Sequence, residues 1–144
     1  MTAFRFHLER VLHWRGLQLA SEEAKLRGLI EEQSLLESRL DGIQKTLSEM
    51  PLLFTALDKL QGSDLNQMAA YRMRLTAERD RVRGLCREKK RAVGEQVEVH
   101  RRAKQRHRLL EELRSRRHRE WQALLSRELE QLAQESYLAR WTTV

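Results

Sequence analysis

LERVLHWRGLQLASEEAKLRGLIEEQSLLESRLDGIQKTLSEMPLLF, residues 8–54, places apolar side chains at alternating steps of four and three: Leu8, Leu12, Leu19, Leu26, Leu29, Leu36, Leu40, Ile43, Leu47, Met50 and Phe54. Of fourteen positions on this seam eleven are apolar, and the exceptions are Arg15, Glu22 and Gln33. A 3.5-residue repeat sustained this long marks a coiled-coil strand, because only supercoiling keeps so narrow a stripe facing one partner. A lone helix cannot bury such a stripe. What the helix binds therefore decides both the fold and the function.

The rest of the chain agrees with an elongated helical unit. It has 144 residues, 34% charged and 6% aromatic, with one proline, a composition of long helices rather than of a globular core. Cys86 is the single cysteine, so neither a disulfide framework nor a paired-thiol metal site is expected. No apolar run approaches 18 residues, and the N-terminus has no signal-peptide pattern. The expected location is the cytoplasm, possible membrane contact being only peripheral.

Helix one is expected over about 6–50. Pro51 should end it, since proline cannot donate to the helical ladder and disfavours helical backbone at Met50. Residues 51–64 form the expected turn, with the apolar residues 52–60 folding over as a short cap. Asp64 and Gln67 have capping spacing for a second helix over about 65–141. Gly28 and Gly42 flank the first seam, where a missing side chain would admit close backbone approach. The second seam reads Tyr71, Leu75, Glu78, Val82, Leu85, Lys89, Ala92, Gln96, Val99, Ala103, then Leu110 and Leu113. Near Arg117 the phase shifts by four residues, and Trp121, Leu125, Leu129 and Leu132 begin a new stripe.

These patterns predict an all-α fold: a long antiparallel two-helix coiled-coil hairpin with a C-terminal helix overhang, one coiled-coil unit spanning residues 1–144. Matching polar with polar positions gives a register. Leu29 faces Val82, Leu26 faces Leu85 and Leu8 faces Ala103, while Gln33 meets Glu78, Glu22 meets Lys89 and Arg15 meets Gln96. A slip by one heptad would set Leu40 against Glu78 and Leu29 against Lys89, each mismatch costing about 1–3 kcal/mol if it stayed buried. The predicted register leaves residues beyond about Arg108 without a facing helix, so Trp121, Leu125, Leu129 and Leu132 form an exposed stripe that a partner would cover.

Charge is concentrated in one block. Residues 79–119 hold sixteen basic and six acidic side chains, and the other segments are close to neutral. Arg101, Arg102, Lys104, Arg108, Arg116, Arg117 and Arg119 make up the candidate basic face, suited to nucleic acid, anionic lipid or an acidic protein surface. No residue of the block is Phe, Tyr or Trp, so it has no ring on which to stack a base. Phosphate loops, nucleophile elbows and paired cysteines are missing. His100 and His107 lie two turns apart, about 10 Å, too far for one zinc ion on a single helix. No catalytic, metal or cofactor site is expected, and the chain reads as a protein other than an enzyme.

The opening Phe4-Arg5-Phe6-x-Leu8-Glu9-x-Val11-Leu12-x-x-Arg15 resembles the N-terminus of the FliJ family, coiled-coil proteins of the flagellar type III export apparatus with YscO-type relatives in injectisomes. Tyr71-x-x-x-Leu75 and Arg127-Glu128-x-Glu130-Gln131-Leu132 are similar to later family motifs, although the chain has Ala133-Gln134 where the family continues with Asp-Glu. The resemblance implies a rod that binds the hexameric export ATPase, contacts the export gate protein and helps to handle export chaperones, with no nucleic acid partner. It implies Phe4, Phe6, Trp121 and Trp141 as contacting side chains, whereas the residues alone read first as Phe4, Phe6 and Trp14 closing the end of the coil. The competing class is a basic coiled coil that binds nucleic acid or serves as a dimerising scaffold.

Overall fold

The computed structural model describes residues 2–56 and 62–143, of which all but the N-terminal strap and the last residues are helical. Two α-helices form, α1 over Glu9–Ala56 and α2 over Gly62–Thr142, and they pack against each other. No strand occurs among the described residues. The fold is the expected all-α antiparallel helix pair. Its contacts divide the chain into two compact units, Met1–Ser21 with Arg101–Val144, and Glu22–His100.

Both helix boundaries depart from the sequence expectation. Helix α1 starts at Glu9 rather than near Phe6, and Pro51 lies inside it. A proline inside a helix removes one ladder bond and crowds the preceding turn, and five residues after it stay helical. Residues 52–56 therefore extend α1 instead of folding over it, and the remainder of the expected cap, 57–61, lies outside the described residues. Helix α2 begins at Gly62, with Asp64 in its first turn, where a carboxylate complements the helix dipole.

In the unit Glu22–His100 the first seam is the expected one. Leu26, Leu29, Leu36, Leu40, Ile43 and Leu47 are half-buried, and Met50 is buried. The facing seam is rotated. Leu75, Val82, Lys89 and Gln96 line it as expected, and Glu78 and Ala92 stay half-buried, but its second column runs through Arg79, Cys86, Val93 and His100. Leu85 (38% exposed) and Val99 (43%), placed inside by the sequence reading, sit at the edge, and among the described residues Val82 alone is fully enclosed.

The register is displaced as well. Gln96 donates to the Glu22 carboxylate (2.5 Å) and to the Glu22 backbone carbonyl (3.2 Å), whereas the expected partner was Arg15. Lys89 pairs with Glu32 at 2.5 Å, not with Glu22, and Glu78 pairs with Arg39 instead of facing Gln33. His100 Nε2 lies 3.2 Å from Glu23. Along this series α1 numbers fall as α2 numbers rise, which makes the pair antiparallel. The displacement is a slide of about one heptad in one direction: α1 runs on through Pro51 to Ala56 and α2 starts at Gly62, so each of these α2 residues meets an α1 residue farther along the chain than the predicted one. Lys, Arg and Gln lay their stems along the seam and carry their polar heads out to the flank, so a polar seam residue need not face another one. With Cys86→Ser, cysteines replacing Glu22 and Gln96 should cross-link within one chain, whereas cysteines at Leu26 and Leu85 should not. Efficient oxidation of the second pair would restore the sequence-derived register.

Two carboxylates in this unit are tuned by these contacts. The hydrogen bond from Gln96 holds the Glu22 carboxyl below its ordinary 4.5, with Lys25 and His100 adding charge attraction against partial desolvation. Glu78 is lowered first by the hydrogen bond from Arg81 and further by Arg39. A carboxyl whose folded pKa is depressed stabilises the fold above its unfolded value, and that contribution fades as pH drops through the folded value. Stability of the unit should therefore decline below pH about 4.5. Thermal melts of Glu22→Gln combined with Glu78→Gln should show a flatter dependence on pH in that range than the parent.

Glycine plays a different role from the expected one. Gly28 and Gly42 have open space where a Cβ would stand, so neither serves close approach. Gly16, in the other unit, is the one that meets a neighbour, its virtual Cβ lying 3.4 Å from His107 Nε2. With nothing to clash against, Gly28→Ala and Gly42→Ala should each stabilise by about 0.5–1 kcal/mol through helix propensity, measured by urea denaturation.

Candidate partner-binding surface

Within the unit Met1–Ser21 with Arg101–Val144, the chain opens as a non-helical strap over residues 2–6 and turns at His7 and Leu8 into α1. Glu9 donates its backbone N–H to the Phe6 carbonyl at 3.1 Å, and the helical ladder then begins with Leu12 to Leu8. The spacing of the two phenylalanines explains the strap. In extended backbone alternate side chains point to opposite faces and i, i+2 residues share one, which lets Phe4 and Phe6 both reach into apolar surroundings while Arg5 stays exposed. Phe6 is 7% exposed. The Phe4 ring meets His118 edge-on, centroids 4.9 Å apart at 79°, and tilts against Trp121 at 5.9 Å. His118 stacks over Trp121 one helical turn away, at 5.8 Å and 29°. Arg114 pairs with Glu9 at 2.9 Å beside the root of the strap. Edge-to-face and stacked rings at these separations add to simple area burial.

The aromatic contact corrects the expected extent of the overhang. Residues beyond Arg108 do find partners: Glu9 on Arg114, and Phe4 on His118 and Trp121. Trp121 is half-buried under the strap, and Leu125 is half-buried too. From Ser126 to Thr143 every residue is exposed. Leu129 (48%), Leu132 (56%) and Trp141 (70%) therefore lie on open helix surface, and Phe6 is enclosed by its own unit.

Two side chains escaped the heptad reading, Tyr137 and Leu138, both about three-fifths exposed. Tyr137 packs on Trp141, with ring centroids 6.0 Å apart. For Tyr137 the signal was a change of period. Trp121, Leu125, Leu129, Ala133, Tyr137 and Trp141 recur every four residues, not at alternating threes and fours. Each four-residue step turns about 40° past a full revolution, so five steps wind the row about 200° around the helix. A heptad stripe drifts only about 20° the other way over seven residues. The overhang is consequently not a simple continuation of the coil: its apolar surface spirals from one side of α2 to the other.

The basic face is exposed throughout, at Arg101, Arg102, Lys104, Arg108, Arg116, Arg117 and Arg119. Part of its charge is answered locally. Arg108 pairs with Glu112 at 3.1 Å and Arg117 with Glu120 at 3.3 Å, while Arg119 donates to the Ser115 carbonyl. Exposed pairs of this kind contribute little stability but lower the field that a distant partner would meet. Among the described residues no group of three or more His, Cys, Asp or Glu side chains is placed to hold a metal ion. No described helix is long and apolar enough to cross a membrane. What the surface offers chemically is apolar contact along the spiral row and cationic contact beside it. Comparison with protein-family models, with curated proteins and with solved structures finds no match.

Proposed function

We propose that this chain is a non-enzymatic component of the bacterial flagellar type III protein export apparatus. In this reading it binds the hexameric export ATPase, contacts the export gate protein and assists the handling of export chaperones. The observation that carries the reading is the exposed apolar row beyond Leu125, on a helix pair whose opening residues resemble the FliJ family. Exposed, contiguous apolar surface rich in Trp and Tyr is the usual anchor of a protein interface. The basic face supports the same reading by steering α2 toward acidic partner surfaces. Purification of a tagged export ATPase from cells expressing both proteins should bring this chain down at physiological salt, and the chain should stimulate ATP hydrolysis. Submicromolar, strongly salt-dependent DNA retardation without ATPase association would favour the nucleic-acid reading instead.

A further inference from the structure

The strap and the spiral row share one element. Trp121 is the first residue of the row that ends at Trp141, and Phe4 lies on it. The shallow groove beside this contact is lined by Phe4, Phe6, Arg117, Trp121 and Leu124. We infer that the strap, residues 2–6, is an autoinhibitory latch: closed, it caps the start of the apolar row, and released, it leaves the row open from Trp121 to Trp141.

Three features of the strap fit a latch better than a fixed part of the fold. Among the described residues, 2–5 make no backbone hydrogen bond outside the helices, and the one at Phe6 anchors α1 rather than the strap. The strap is therefore held by side chains, chiefly the two phenylalanine rings. The pivot lies at His7, before the ladder's first bond from Leu12 to Leu8, so opening breaks no helix. Phe6, deeply enclosed, is the anchor; Phe4, half-buried, is the part that covers Trp121. Leu124 remains 58% exposed and Leu129 48% exposed on either side of Leu125, so a partner could seat on the open row and then compete with Phe4 for Trp121. A lipid surface fits less well as that partner. The row winds about 200° around the helix, which no single plane can follow, and Glu128, Glu130 and Glu135 outnumber Arg127 and Arg140 there.

The identity of the partner rests on the proposed function; the latch itself does not. In full-length chain carrying Trp14→Phe and Trp141→Phe, Trp121 is the only tryptophan. There Phe4→Ala should at least double acrylamide quenching of Trp121 and raise binding of the dye ANS, with helicity unchanged. Phe4→Leu, which keeps an apolar side chain, should fall between. In the otherwise native chain Phe4→Ala should tighten binding to the export ATPase, by about tenfold if the latch is open about a tenth of the time. Unchanged quenching and dye binding would overturn the latch. So would increased quenching with equal or weaker ATPase affinity, since Phe4 would then be a bystander or part of the binding surface. If neither parent nor variant binds the ATPase, the proposed function fails, and quenching with dye binding decides the latch alone.

Discussion

Replacing Val82 by asparagine should destabilise the unit Glu22–His100 by about 3 kcal/mol, while the same change at Leu85 should cost about 1 kcal/mol or less. Among the described residues Val82 is the one side chain with no exposure, so asparagine there loses the apolar burial and leaves an amide without water. Leu85 is 38% exposed, at the edge of the rotated seam, where an amide can stay hydrated. The sequence-derived seam puts both residues inside, so the pair of variants separates the two arrangements. Urea denaturation followed by circular dichroism measures both. Equal losses at the two positions would mean that the seam passes through Leu85 after all.

The second large effect concerns the overhang. Serine at Leu129, Leu132, Leu138 and Trp141 together should weaken association with the export ATPase by at least about a hundredfold, because hot-spot truncations each cost about 2 kcal/mol or more. Folding should be little disturbed, since all four side chains are about half exposed or more and support no neighbouring helix. Binding titrations with the purified ATPase, alongside thermal melts, test this. Retained affinity with an intact fold would remove the overhang from the proposed interface. Loss from serine at Leu129 and Leu132 alone would confine the interface to the near side of the spiral, since Leu138 and Trp141 lie farther round the helix.

Much of the architecture was legible from residue order. The long 3.5-residue repeat required a helix partnered by another, and the positions that the repeat marks from Leu26 to Met50 are half-buried or buried. Two long helices with no strand follow from that repeat and from a chain with one proline. Periodicity is a property of one helix at a time, which is why one sequence suffices to read it. The exposed apolar stretch after Leu125 was legible for the same reason, although a heptad template missed Tyr137, whose row has period four, and Leu138 beside it.

What depends on two helices at once was decided only in three dimensions. Register was misjudged because α1 continues through Pro51 to Ala56, which slides the pair by about a heptad and sets Gln96 on Glu22, Lys89 on Glu32 and Glu78 on Arg39, while the long side chains of such residues let polar seam positions face apolar ones. That continuation of α1 through Pro51 went against local backbone preference. Phe4 and Trp121 lie far apart in the chain, and no spacing rule joins them; their contact exists because an unpatterned strap turned back over α2. Local hydrogen bonding and hydrophobic period set which surfaces must be covered. Which residue covers which is settled by how far each helix runs and by the reach of individual side chains, and that is a property of the packed pair alone.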